Sequence, residues 1–185
     1  MAAGIIDRVD RTWEPYAASH GFRYRPGRYA WQHMEWPKVD GTFESIPIAL
    51  ALVPFDDGVH SFIQAELRAF GGGDIEVVRR TFLAKFVKVR GDQELAFRDP
   101  EFDRSYRVHA VSEANARGVL SQAIRAQVMA LRADRMLCEY GDTAAPEARV
   151  ILDVPRVLEA PEDLDRALRL VVSIAQLQLR SMPYR

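Results

Sequence analysis

The amino-acid sequence predicts an α+β fold: a largely antiparallel sheet with an N-terminal helix, a middle helical pair and a long C-terminal helix packed on it. Apolar residues recur every three or four positions near both ends of the chain, which is the period of a helix. Between about 22 and 97 apolar and polar residues alternate instead, which is the period of a strand. We expect residues 1–185 to form a single domain, because no repeat or linker divides the chain.

A stripe of large apolar residues marks the first predicted helix, about 4–20, and Gly21 is a natural stop for it. Pro15 argues against a regular last turn, because proline lacks the amide hydrogen that a helix interior uses. We expect the striped face to be buried. The stripe consists of Ile6, Val9, Trp13 and Tyr16.

The most regular predicted strand covers about 60–70, where apolar residues alternate with Gln64, Glu66 and Arg68. One face of this strand should be buried and the other should meet water. The run 44–53 alternates in the same way, and Pro47 within it suggests an edge strand or a bulge. The residues expected in the core are Ile63, Ala65, Leu67 and Ala69 in the first strand, and Ile46, Ile48, Leu50 and Leu52 in the second.

A glycine-rich loop, 71–74, separates the strand at 60–70 from a β-rich run that starts at Ile75. Strand, tight glycine loop and strand predict a hairpin. A phosphate-binding loop is the alternative, but such loops precede a helix and carry a lysine or a GxGxxG pattern, which this loop lacks. The next stretch, 82–90, fits either a helix or a strand.

The second half of the chain begins with a predicted strand over 102–110. Ser112 and Ser121 are suited to cap two short helices, which form the middle pair. Short strands are expected at 135–140 and 149–154, followed by the long helix that begins at Pro161. The apolar stripe of this last helix is wider than the ~100° that packing on one surface requires. We therefore expect its additional apolar residues to be covered by the N-terminal helix or by a second chain.

Composition excludes several classes of protein. The net charge of −1 provides no overall attraction to nucleic acid or to an anionic membrane. Cys138 is the only cysteine, so no intramolecular disulfide can form. Asp7 and Arg8 interrupt the apolar residues of the N-terminus, and the longest uncharged apolar run, 46–55, is shorter than the ~20 residues of a membrane span. We expect a cytoplasmic protein with no membrane span.

The densest set of reactive side chains lies in the predicted strand at 102–110. On one face of such a strand, Asp103, Ser105, Arg107 and His109 would stand in a row, and these residue types can build an acid–base or nucleophilic site. A solvent-facing polar row is the alternative that any antiparallel strand offers. No GxSxG turn accompanies Ser105. Catalytic residues therefore stay unassigned.

Arginines and aromatic residues interleave between Phe22 and Trp31, a composition that suits single-stranded nucleic acid. The candidate contacts are Arg23, Arg25, Arg28 and Trp31. The alternative is a hairpin around Pro26-Gly27 whose arginine stems lie along the sheet. The balanced total charge and the nearby Glu35 and Asp40 argue against nucleic acid as the partner.

The histidines are widely spaced and Cys138 has no CxxC partner, so the sequence shows no metal-binding motif. It shows no cofactor-binding motif either. Cys138 lies among apolar neighbours and is expected to be a buried small hydrophobic residue.

The stretch from about 97 to 175 carries a turn and core pattern around Asp99, Phe102 and Asp103. This pattern resembles uncharacterised bacterial α+β domains in which an FDxxFxV strand precedes a helical LL segment, two short strands and a C-terminal helix. The resemblance implies an α+β fold and implies no catalytic residues. The remaining matching positions are Arg98, Pro100, Glu101, Tyr106, Val108, Ala116, Val119, Leu120 and 128–131.

The leading hypothesis from the sequence is a non-enzymatic module that binds a protein partner, either a second copy or another protein, or that helps to build a larger assembly. The alternative is a small-ligand or enzymatic module with its pocket between the sheet and the helices. A single-stranded nucleic-acid binder that uses the Arg23–Trp31 segment is the third hypothesis.

Overall fold

The computed structural model of the chain describes residues 2–30, 33–68, 73–81, 94–140 and 148–180. Five helices and ten strands lie within these residues. In chain order they are α1 (Ala2–His20), β1 (Arg23–Arg25), β2 (Arg28–Ala30), β3 (His33–Glu35), β4 (Lys38–Phe43), β5 (Ile46–Phe55), β6 (Gly58–Leu67), β7 (Ile75–Arg79), α2 (Pro100–Ser105), β8 (Tyr106–Ala110), α3 (Glu113–Val119), α4 (Gln122–Leu131), β9 (Arg135–Tyr140), β10 (Ala148–Val154) and α5 (Pro161–Arg180).

Eight of the strands form one sheet in the order β1-β4-β5-β6-β10-β9-β7-β8, and β2 pairs with β3 in a small separate sheet. Every neighbouring pair in the large sheet is antiparallel. The α+β class, the N-terminal helix, the middle pair α3 and α4, and the long C-terminal helix are confirmed. α2 is an additional helix that the sequence pattern did not predict.

The helices pack on one face of the large sheet, which we call the helix face; the opposite side is the second face. Strand β6 shows the division clearly. Ile63, Ala65 and Leu67 belong to the main hydrophobic core, whereas Gln64 is half-buried and Glu66 is exposed. The predicted alternation is therefore confirmed for these residues, and Ala69 lies outside the described part of the chain.

The predicted hairpin between the strand at 60–70 and the strand at Ile75 is wrong. β6 pairs with β5 and β10, and β7 pairs with β9 and β8, so β10 and β9 lie between them. A glycine-rich loop shows that the chain turns, but it does not decide which strand pairs with β6. That depends on the strands that occupy the edge of β6, and here β10, from later in the sequence, occupies it. Gly73 has φ of +78°, a conformation that glycine adopts readily; residues 71–72 and 82–90 are outside the described residues.

Pro47 does not mark an edge strand, because β5 lies between β4 and β6. Its register with β4 runs without interruption past Pro47, so there is no bulge between these two strands either. The ladder to β6, however, begins only at Ile48, and the ladder to β4 ends at Ala51, before Pro54. Both prolines of β5 thus lie where the strand is paired on one side only, a position at which a sheet tolerates a missing amide hydrogen.

Helix α1 continues through Pro15, contrary to the irregular last turn that the proline suggested. Pro15 and Arg11, whose carbonyl loses its helical donor, are both on the exposed side of the helix. Water can therefore replace the lost hydrogen bond at little cost.

Helix α5 packs on β5, β6 and β10 and also contacts α3 and α4. The wide apolar stripe is explained by this position, since Ile174 is fully buried within the chain and Leu177 is partly buried against the core. Tyr16 of α1 donates a hydrogen bond to Asp165 of α5 at 2.7 Å, so the N-terminal helix lies beside the first half of α5. No helix in the described ranges is long and apolar enough to cross a membrane.

Replacing Leu67 by alanine should lower the free energy of unfolding by ~2–5 kcal/mol, because it removes a buried side chain from the core. Glu66→Ala, one residue earlier on the second face, should be close to neutral. Chemical denaturation of both variants measures the difference. Equal losses would contradict the assignment of the two faces.

Ser61→Ala should destabilise the protein by ~1–3 kcal/mol, because the Ser61 hydroxyl accepts a hydrogen bond from the buried amide of Leu158 at 2.9 Å. Ser19→Ala is a matched control, since that hydroxyl donates to Tyr16 at the exposed end of α1. Thermal or chemical denaturation can compare them. If Ser61→Ala is as neutral as the control, the bond to Leu158 contributes little.

Candidate functional site

A groove of about 750 Å³ lies on the second face of the sheet, where β1, β4, β5 and β6 run side by side. Small side chains form its floor: Thr42, Pro47 and Ala49. Longer charged side chains form its rims, with Arg23, Arg25 and Asp40 on one side and Glu66 on the other. We call this feature the arginine groove.

The arginine rim is held together by Asp40. Nε of Arg23 donates to Oδ2 of Asp40 at 2.7 Å, and Arg25 donates to Oδ1 of the same carboxylate. Asp40 is 22 % exposed, whereas Arg23 is 75 % and Arg25 58 % exposed. Burial raises the pKa of Asp40, but the hydrogen bonds and charges of the two arginines outweigh it and hold the pKa below its ordinary value.

Positive charge is in excess at this rim. Lys38 lies directly opposite Arg25 and is exposed, so the paired strands β1 and β4 carry three cations and one carboxylate on this side. Two guanidinium groups fixed by one shared acid keep most of their N–H donors directed outward. Such an arrangement is suited to bind a further carboxylate or another anion.

Only two of the four residues considered for nucleic acid meet at this rim, namely Arg23 and Arg25. Arg28 lies in the separate sheet, directly opposite Glu35. Trp31 is outside the described residues. Asp40 also offsets part of the charge that phosphate binding would use.

The four polar-row candidates do not share the face of one strand, because 100–105 forms helix α2 and β8 begins only at Tyr106. Asp103 and Ser105 are therefore helical, and only Arg107 and His109 alternate on β8. The cause is local. The Asp99 side chain caps the helix by accepting from the amide of Phe102, and Pro100 occupies its first turn.

Asp103 has a structural task in this arrangement. Its carboxylate accepts hydrogen bonds from the amides of Phe97 at 3.0 Å and Asp99 at 3.1 Å, so it holds the turn before α2. Arg107 faces Glu94 at 3.6 Å. Within the described residues, both ring nitrogens of His109 are buried without a hydrogen-bond partner.

Cys138 is fully buried in the core, as its apolar neighbours predicted. Burial raises the pKa of its thiol to about 12, so the nucleophilic thiolate is strongly disfavoured.

A buried polar cluster that the sequence pattern missed lies farther along the second face, around His60. Nδ1 of His60 is 2.8 Å from Oδ1 of Asp153, and Nε2 is 3.3 Å from Oδ1 of Asp57. The ring is only 2 % exposed and packs against Phe55, with 4.4 Å between ring centroids. The sequence pattern could not reveal this cluster, because the acids come from β10 and from the β5–β6 turn and meet His60 only in the folded chain.

The His60 cluster connects separate parts of the sheet. Both ring nitrogens are directed at carboxylates, and the neighbouring Ser61 points to the opposite side of the strand, where it binds Leu158. The cluster thus ties the β5–β6 turn to β10. Over the ranges that the structure covers, no group of three or more acidic, histidine or cysteine side chains is placed to hold a metal ion.

Comparisons with known proteins bear on the fold. The chain matches no protein-family model and no curated protein sequence. It is similar to the crystal structure of the mycobacterial trehalose monomycolate transport factor A, TtfA, with a TM-score of 0.60 and 15 % sequence identity. The similarity covers 96 % of this chain and 97 % of that one. At this identity the similarity establishes a shared fold.

Replacing Asp134 by asparagine should stabilise the protein more at neutral pH than in acid. Burial raises the pKa of Asp134 above its ordinary 3.8, with Arg79 only partly offsetting it. The Asp134 carboxyl therefore contributes most to stability when it is protonated, below pH 3.8. This contribution is lost as the pH rises through the raised pKa of the folded protein. Asparagine cannot ionise and avoids the loss. Denaturation of both proteins between pH ~3.5 and ~7 measures this, and a pH-independent difference between the two would contradict it.

Proposed function

We propose that this chain is a non-enzymatic module that binds a protein partner at the arginine groove. The observation that carries the proposal is the open part of the second face beside β1. The described helices pack on the helix face, while this part of the second face carries an open groove whose rim has two exposed arginines fixed by one carboxylate. A preorganised charged rim around a floor of small side chains is a surface suited to binding.

The two edges of the sheet support this location. At the β8 edge the chain covers itself, since the amide of Leu95 donates to the carbonyl of Val108 at 2.8 Å and Glu94 bridges His109. At the β1 edge, no strand in the described part of the chain pairs with the outer side. The groove and the unpaired edge therefore lie at the same end of the sheet.

The remaining hypotheses have less support. A ligand pocket between the sheet and the helices is disfavoured because the described residues of that layer pack into one continuous hydrophobic cluster. Nucleic acid is disfavoured because Arg23 and Arg25 share their charge with Asp40 and Arg28 is opposite Glu35.

TtfA is by name a factor for trehalose monomycolate transport. We propose for this chain a role of the same general kind, in which the fold supports binding to another component. The proposal leaves the identity of the component open and does not extend to trehalose monomycolate.

A photo-activatable cross-linking residue at Thr42, an exposed position on the groove floor, should trap a discrete protein adduct in the native cells. The same residue at Ala126, exposed on α4, is the matched control and should trap nothing specific. Adducts are separated by electrophoresis and identified by mass spectrometry. Identical patterns from the two positions, or none from Thr42, would refute the groove as the binding surface.

A further inference from the structure

Resting on the proposed function, we propose that the partner contributes an extended segment that adds as a ninth strand to the outer edge of β1, with acidic residues at alternate positions facing Arg23 and Arg25. The occupant is thus a protein strand of defined charge pattern. It deepens the proposed function by naming the chemistry that the groove recognises.

The outer edge of β1 is unpaired in the described part of the chain. β1 pairs with β4 from Arg23 opposite Asp40 to Arg25 opposite Lys38, which uses the inner side of the strand. The outer backbone groups of these residues have no strand beside them in the described ranges. An unpaired row of amides and carbonyls is a template for one further strand.

Side chains alternate between the two faces along β1. Arg23 and Arg25 point to the second face, while Tyr24 points to the helix face and donates a hydrogen bond to Asp10 of α1. In an added strand, successive side chains would likewise alternate between the two faces. The segment must therefore satisfy two different electrostatic surroundings.

Beside β1 the second face favours acids, because Arg23 and Arg25 share one carboxylate, Asp40, and Lys38 lies opposite Arg25. The helix face disfavours them. Tyr24 donates a hydrogen bond to Asp10 there, and burial, this bond and the negative charges of Asp10 and Glu14 raise the pKa of Tyr24, so two acids of α1 lie near this side of β1. An acidic residue is thus expected at every second position, with uncharged residues between.

A fluorescent peptide of about seven residues that alternates glutamate and valine is the direct probe. It should bind the protein, and binding should weaken with added salt. The same amino acids arranged as a glutamate block and a valine block should bind more weakly, because acids would then face Asp10 and Glu14. Hydrogen exchange of the bound complex should show new protection in 23–25 and none in β8.

Charge reversal at the rim tests the arginines. Arg23→Glu combined with Arg25→Glu should reduce affinity by ~10-fold or more, since the charge-assisted hydrogen bonds of both guanidinium groups are lost. Arg104→Glu with Arg180→Glu makes the same change of net charge at exposed positions on other elements and should leave affinity unchanged. Circular dichroism confirms that both double variants remain folded.

Backbone pairing is tested with the same peptide methylated on alternate amide nitrogens, which keeps the charges but removes the donors of a strand. Loss of binding on methylation supports strand addition. Equal binding of the methylated peptide, or of a short single-stranded oligonucleotide, shows a general anion site and overturns the proposal. If no peptide binds but Thr42 still traps a discrete adduct, strand addition fails while the proposed function stands; if neither occurs, both fail.

Discussion

The position of helix α5 on the sheet depends on the backbone of one buried residue, Leu158. Its amide donates to the Ser61 hydroxyl of β6 at 2.9 Å, and its carbonyl accepts from the indole nitrogen of Trp13 at 2.7 Å. The segment between β10 and α5 is thereby fixed to α1 and to the centre of the sheet at the same point. A shift of α5 would leave buried polar groups unbonded in the core, which costs far more than such bonds contribute on average.

The described helices lie on the helix face, and the His60 cluster and the arginine groove lie on the second face. That face is not uniform. Val78 and Leu137 are buried on it, His60 is enclosed by Asp57 and Asp153, and the arginine groove lies open toward the β1 edge. Buried charge pairs seldom add net stability, but in some proteins they specify one arrangement of the elements that carry them. The His60 cluster is consistent with that role, and the exposed groove with recognition.

Near α2, arginine side chains serve packing instead. Arg125 of α4 binds Asp99 at 3.1 Å and lies over the rings of Phe97 and Phe102, at 5.1 Å and 5.7 Å from their centroids. The cation thereby attaches the cap of α2 to the middle helical pair. Arginine alone is therefore a poor indicator of a binding surface in this chain; what distinguishes Arg23 and Arg25 is that one carboxylate holds both of them at the rim of a groove.

The sequence by itself determined the elements whose signal is local: the periods of α1, β6 and α5, the serine caps of α3 and α4, and the α+β class. It also indicated which side of β6 is buried, because alternation reports burial directly. Asp99-Pro100 was a local start signal for α2 that the apparent alternation of 102–110 obscured. Strand order was decided only by the tertiary structure, because strands that are distant in the sequence compete for the same sheet edges. Here β10 and β9 lie between β6 and β7. The sites were decided there too: His60 meets its acids, and Arg23 and Arg25 share Asp40, only where separate strands lie side by side.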